Sequence, residues 1–367
     1  MIIDNIRAFT VRMPLERPVR TSNLTIESRE YVLVEVTTNT GIKGYGFGFT
    51  RDGLVGECVE RNLRPLLIGR DAWLSEQLWS DMYLATRYLG RKGLMMRAIS
   101  AVDIALWDLK GKALDTPVWR LLGGMREAVP AFAAGGYYRA EETLADLDDE
   151  FSRYRKEGFK GAKLNLGGGS DFDHDIARVE TARNALGRDA ELMVDFNGAL
   201  STAKEALRWA EELSRFDIAF IEEPFLMDNL PAMRDFYSRA KIPVAIGEDE
   251  SGRWAFAELL SPKVLDILRH DATLAGGISE WVKIAHLGLG HRVKVFPHWF
   301  PEVHIHVAAA FPECMGVELI APESGIMNFH RLVHNPVTQR DGVASAPTEP
   351  GLGLDWNWEE VERFAQS

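Results

Sequence analysis

The spacing of apolar positions changes character twice along the chain. From Ile2 to about Thr50 it is strand-like. The run Tyr31-Val32-Leu33-Val34-Glu35-Val36-Thr37 is rich in β-branched and aromatic residues and ends at the turn Asn39-Thr40-Gly41, which suits a pleated, half-buried surface. Between roughly Gly53 and Leu114 the period becomes helical, clearest where Ala98, Ala101, Ala105 and Leu109 form one stripe. Strands followed by helices, without alternation, predict an α+β unit.

From about Ala131 short apolar runs alternate with helical segments. The runs fall at 131–134, 162–166, 192–196, 219–221, 244–246, 264–268, 293–296 and 316–320. Thr202-Ala203-Lys204-Glu205 reads as a capping box that opens an apolar stripe of Ala206, Leu207, Ala210 and Leu213. The segment 178–186 stops at Gly187. Eight strand candidates with helices between them predict a (β/α) barrel rather than an open doubly wound sheet. From about Asn328 the text is irregular and rich in Pro, Gly and Trp.

Composition adds mainly exclusions. A chain of 367 residues with 46% hydrophobic content affords a sizeable core. No apolar run reaches bilayer length, and the start Met1-Ile2-Ile3-Asp4-Asn5 lacks the features of a secretory signal. Cys58 and Cys314 make neither a disulfide framework nor a zinc spacing. A cytoplasmic protein with no membrane partner is the expectation. A net charge of −12 argues against nucleic acid as a partner, since phosphate binding needs clustered cations. It does not exclude a small carboxylate substrate held by a local cation.

The chemistry lies in where the acids fall. Asp195 ends Leu-Met-Val-Asp, Glu222 ends Ala-Phe-Ile-Glu and Glu248 ends Val-Ala-Ile-Gly-Glu, at intervals of 27 and 26 residues. Each interval is one strand-helix unit. In a barrel, C-terminal strand ends converge on one mouth. A single acid there can merely cap the next helix. Three together repel one another unless a hard cation neutralises them, and oxygen ligands suit Mg²⁺. Alternation allows only one of Glu222 and Glu223 to face the mouth. Lys163 and Asn165 share a face on the preceding strand, as do Asp195 and Asn197. Lys163 is expected to grip a substrate carboxylate or to act as a base of lowered pKa. Asp271 and His298, again 27 residues apart, are expected to form a carboxylate–imidazole pair in which His298 is the general base. Glu318 places a further acid on the eighth strand. His304 and His306 lie two apart in an expected helix and read as structural or surface residues; His270 should point away from the mouth.

These residues resemble the enolase superfamily, and within it the mandelate racemase subgroup. The matching text is 98–112, Val194-Asp-Phe-Asn197, Ile221-Glu-Glu-Pro224, Gly247-Glu248, Asp271 with 276–278, Pro297-His298 and Glu318. The resemblance implies an α+β capping domain over 1–125, a modified (β/α)7β barrel over 126–325, and a segment 326–367 packing back on the capping domain. It implies Mg²⁺ on Asp195, Glu222 and Glu248, an Asp271–His298 dyad, Glu318 as donor to or orienter of an enediolate, and homo-oligomers. One departure stands out. The subgroup's Lys-x-Lys reads Lys163-Leu164-Asn165 here, and asparagine cannot take up a proton. Loss of the second base favours dehydration of a sugar acid to a 2-keto-3-deoxy acid over racemisation, epimerisation or cycloisomerisation, with a non-catalytic relative that binds a sugar acid as the remaining alternative. Arg17, Arg20 and Arg51 in the capping loops, with Asn165, Asn197 and Trp299, are the expected substrate contacts.

Overall fold

The N-terminal strand-like text folds as an antiparallel meander in the computed structural model, which describes residues 1–169 and 171–366. Strands β1 (Ile3–Arg20), β2 (Thr25–Thr38) and β3 (Lys43–Phe49) pair in chain order. The sequence of β3, Lys-Gly-Tyr-Gly-Phe-Gly-Phe, sorts its two faces by alternation: glycines on one, aromatics on the other. The glycine face lies on the helix Leu94–Ala113. A Cβ on Gly46 would sit 1.8 Å from the Ala101 carbonyl oxygen, and one on Gly44 would sit 2.1 Å from that of Ala105. Only glycine allows that approach. The expected stripe of Ala98, Ala101, Ala105 and Leu109 is the buried face of this helix. The aromatic face of β3 carries Phe47 and Phe49 onto Phe300, and Phe49 onto Trp299.

Eight parallel strands follow: β4 (Ala128–Gly135), β5 (Gly161–Asn165), β6 (Glu191–Asp195), β7 (Ile218–Glu222), β8 (Val244–Ile246), β9 (Ile267–Leu268), β10 (Lys294–Val295) and β11 (Val317–Leu319). Neighbours pair in chain order from β4 to β10, and β11 returns to pair with β4. The last seam, between β10 and the segment entering β11, is the single parallel bridge Val295–Cys314. Helices occupy all seven strand-to-strand connections, so the architecture is an α+β capping unit on a (β/α)7β barrel. Phe132, Met193, Phe220, Ala245, Ile267 and Phe296 fill the barrel interior, leaving the C-terminal strand ends for polar groups.

Local differences from the sequence reading have simple causes. Thr202 caps its helix by accepting from the Glu205 N–H at 3.2 Å, but the Glu205 carboxylate turns back to the Ser201 N–H instead of closing the box. The ninth strand is short, and Asp271 lies beyond it as the N-cap of the turn Ala272–Ala275. Neither His304 nor His306 is a surface residue; both are fully buried. His306 accepts from the Trp119 N–H at 3.2 Å and meets the Leu352 carbonyl at 3.1 Å. The segment after 325 touches both units. Its strands β12 (Gln339–Arg340) and β13 (Val343–Ser345) form a ribbon, and β13 pairs with the start of β4. Ala365 bridges to Val11 of β1. Among the described residues no helix is long and apolar enough to cross a membrane.

Gly46→Ala should cost at least about 2 kcal/mol, because backbone rather than a movable side chain opposes the new methyl. Gly290→Ala, where the added carbon meets nothing within 4 Å, is the control and should be neutral or slightly stabilising. Denaturant midpoints check both.

Candidate active site

The register of the barrel brings the acids together. Asn165 of β5 pairs with Asp195 of β6, which pairs with Glu222 of β7; Glu248 follows β8 after Gly247, whose φ is 134°. Each of Asp195, Glu222 and Glu248 offers an oxygen, and the three lie within 4.8 Å of one another. Glu223 is turned away by a left-handed backbone (φ 39°) and accepts from the Gly247 N–H at 2.6 Å, so it braces the turn that presents Glu248.

Two buried cations stand under these acids. Lys163 Nζ lies 3.0 Å from Glu222, 3.0 Å from Glu318 and 3.2 Å from Asp195. Arg269 sits 2.7 Å from both Glu222 and Glu318, and its other nitrogen donates to the Phe296 and Pro297 carbonyls. The effect on protonation is unequal. Burial alone would neutralise Lys163, but Glu222, Glu318 and Asp195 outweigh it and hold the ammonium well above its ordinary pKa. The expectation that Lys163 could be a base of lowered pKa is therefore corrected: it is a fixed positive charge. Glu318 and Glu222 are buried too, yet Arg269 and Lys163 hold both below the usual carboxylate range. In the metal-free site these cations favour the ionised form of Glu318, to which the Trp299 N–H donates at 3.1 Å. Asp195 is pushed up to about 6 by burial and by Glu222, despite Lys163. Glu248 is raised further, by burial and by Asp195 and Glu222.

On the other side, His298 Nδ1 lies 3.2 Å from Asp271 Oδ2. Asp271 is anchored by the Thr273 N–H at 2.7 Å, and His304 Nε2 approaches its other oxygen at 3.6 Å. Burial opposes ionisation of Asp271, but the hydrogen bond from His298 and the neighbouring imidazoles hold its pKa low. With its Nδ1 hydrogen directed at Asp271, His298 presents Nε2 toward Glu248 at 3.5 Å. Trp299 stacks on the His298 ring at 5.3 Å. Trp299 and Phe300 both adopt left-handed backbone, φ 52° and 35°, which turns the chain sharply after the histidine. Across from it, Asn165 is fully buried, and among the described residues neither of its side-chain polar atoms has a hydrogen-bond partner. Asn197 donates its backbone N–H to Asp195 at 2.9 Å and its amide to Glu248 at 3.4 Å.

The capping loop closes this mouth. Ser22 Oγ donates to the Phe196 carbonyl at 2.9 Å, and the Asn23 amide donates to the Asn197 carbonyl at 2.7 Å. Arg20, expected at the substrate, is instead a fastener. Its guanidinium donates to the Gly168 carbonyl and lies 5.0 Å from the Tyr138 ring.

Family models match both parts of the chain: the mandelate racemase / muconate lactonizing enzyme N-terminal domain over residues 4–123, and the enolase C-terminal domain-like family over 146–361. The chain belongs to the enolase superfamily. Among its relatives, an arabinonate dehydratase of Saccharolobus solfataricus is 34% identical over 88% of this chain and 87% of its own length. A D-galactarolactone cycloisomerase of Agrobacterium fabrum is 34% identical over 99% of each chain. A Streptomyces coelicolor racemase solved with bound magnesium superposes with a TM-score of 0.92 at 30% identity, covering 99% of this chain and 100% of its own.

For this enolase-superfamily chain the cofactor is Mg²⁺, and the donor set fits it. Asp195, Glu222 and Glu318 contact Lys163 and Arg269, whereas Glu248 meets the Asn197 amide and His298 Nε2, so the clustered carboxylates offer an all-oxygen donor set that suits a hard divalent ion. Reading the sequence missed Arg269, although it lies two residues before Asp271 and alternation puts both on one face. It also missed Tyr137, which is buried among charges from Lys163, Asp195, Glu248 and Arg29.

A folded-state pKa of about 6 for Asp195, against an ordinary 3.8, means that the metal-free protein holds an extra proton between those values. This group's contribution to metal-free stability therefore falls as pH rises through that window, and Mg²⁺ binding must expel the proton below it. Mg²⁺ should raise the melting temperature more at pH 7.5 than at pH 5. Calorimetry at pH 5 in buffers of different ionisation enthalpy should show proton release; Mg²⁺ affinity independent of pH would contradict this.

Proposed function

We propose that the protein removes the proton α to the carboxylate of a sugar acid and eliminates the β-hydroxyl, giving a 2-keto-3-deoxy acid. The observation that carries this reading is the asymmetry of the mouth: a histidine oriented by a carboxylate on one side, and an amide that cannot exchange a proton on the other. Similarity to an arabinonate dehydratase supports it.

Asp195, Glu222 and Glu248 would hold Mg²⁺, which supplies positive charge at the carboxylate end of the substrate. Lys163, kept protonated by its acids, adds a second preorganised charge where the enediolate develops. His298 Nε2 takes the α-proton, while Asp271 fixes the ring and stabilises the imidazolium. Electrons from the C–H bond form the enediolate and then expel the β-hydroxyl. The same imidazolium returns its proton to that oxygen, so water leaves, and the enol product tautomerises to the keto acid. Asn165 and Asn197 face the substrate as hydrogen-bonding groups, and Trp299 holds the His298 ring in place.

A second reading is isomerisation, favoured by the cycloisomerase relative that matches along its whole length. It shares the first step and differs in that no water is lost. Incubation with aldonic acids, aldaric acids and their lactones in Mg²⁺ should yield 2-keto acids with loss of water. His298→Asn should lower kcat by about 10³-fold, the scale of a lost general base, and abolish α-proton exchange in deuterated water. Isomers of unchanged mass would favour the second reading. Undiminished turnover in His298→Asn would place the base elsewhere.

A further inference from the structure

The capping unit forms an open cavity of ≈ 560 Å³ between the start of β2, the end of β3 and the start of the helix Leu94–Ala113. Arg29, Arg51 and Arg97 line it with the acids Glu27, Glu30 and Asp52, yet among the described residues none of the three arginines has a carboxylate within ion-pair distance. Arg12, in the same wall, is by contrast paired with Glu30 at 3.3 Å. Arg29 is the telling one. It is only 8% exposed, its Nε donates to the Ile326 carbonyl at 2.9 Å, and its Nη2 is buried with no hydrogen-bond partner. A buried guanidinium with an idle donor costs stability unless something else supplies the acceptor. The chain has 54 acidic residues against 42 basic ones, so lack of available acids does not explain three unpaired arginines around one cavity.

The cavity and the catalytic groups share a wall. The Arg29 guanidinium carbon lies 4.7 Å from the Trp299 ring, and that ring stacks on His298. Arg29 also stands beside Tyr137, which faces Lys163 and the metal-site acids. Arg97 stands near the helix start, where burial lowers its pKa, Asp271 (the partner of His298) and Asp249 oppose that shift, and Arg51 adds to it. Arg29, through Trp299, and Arg97, through Asp271, connect the cavity to the catalytic groups, so an extended ligand with its reacting carboxylate at Lys163 would meet them with its far end. Guanidinium forks match a planar carboxylate better than a hydroxyl.

We infer that this cavity receives the far carboxylate of the substrate, so that the preferred substrates are sugar diacids rather than monoacids; this rests on the sugar-acid reading above. The Mg²⁺-loaded wild type should be assayed on hexaric acids and on hexonic acids of matched stereochemistry, with binding followed by calorimetry. The expected preference in kcat/KM for the diacid is at least about tenfold, and Arg97→Gln should reduce that diacid-to-monoacid ratio by about 10- to 100-fold, the scale of one charge-assisted hydrogen bond. Arg51→Gln should reduce it less, because that side chain is exposed. Equal use of both classes, an unchanged ratio in Arg97→Gln, or a preference for a terminal phosphate would overturn the inference. If no acid is turned over, the dehydration reading fails and binding decides the cavity alone. Tighter binding of the diacid, lost in Arg97→Gln, supports it; equal binding rejects it.

Discussion

Four carboxylates and two cations buried at one end of a barrel form the interaction on which this molecule depends. A carboxylate taken out of water either loses its charge or finds a partner. Here Arg269 and Lys163 are shared among Glu222, Glu318 and Asp195, so removing either cation leaves more than one acid uncompensated. The network also divides the acids by role. Those nearest the arginine stay ionised without help, while Asp195 and Glu248 keep a tendency to hold protons. The site is therefore built around permanent charge on its floor and exchangeable charge at its rim.

Geometry at the rim is held by backbone under constraint. Asn197, Glu223, Trp299 and Phe300 all adopt left-handed conformations at or just beyond strand ends, where non-glycine residues are uncommon and cost free energy. Each turn has a visible purpose: Asn197 braces Asp195 and Glu248, Glu223 braces the Glu248 turn, and Trp299 and Phe300 direct the chain away after His298. The capping loop then attaches to carbonyls of that same rim through Ser22 and Asn23. Folding of the two units is coupled through backbone already committed to the site.

Much of this was legible in the sequence, for a reason that also explains the failures. Asp195, Glu222 and Glu248 sit one barrel unit apart, and strand alternation fixes which way a short side chain points. That logic reaches Lys163 and Asn165 equally well, while Asp271 meets His298 from a position just past its short strand. It weakens for arginine, whose head group lies several bonds from the backbone position that periodicity describes. Arg20 lies in the right loop, yet its guanidinium swings to Gly168. Arg269 has the right alternation but the look of a strand-edge residue, and Arg97 follows a glycine turn with no local signal of the cavity it faces. Protonation was less legible still. Lys163 beside acids could be read as a base until the distances showed three of them around one nitrogen.

The glycine face of β3 has a consequence for precision. With no side chain on the strand's side of the contact, little is left there to absorb a shift in the helix Leu94–Ala113. Any displacement passes through the strand to Phe49, from Phe49 to Trp299, and from Trp299 to the imidazole stacked on it. The aim of the catalytic ring is thus calibrated by a helix whose backbone bears directly on β3, and wear on that bearing surface would register first as a loss of alignment rather than as a loss of fold.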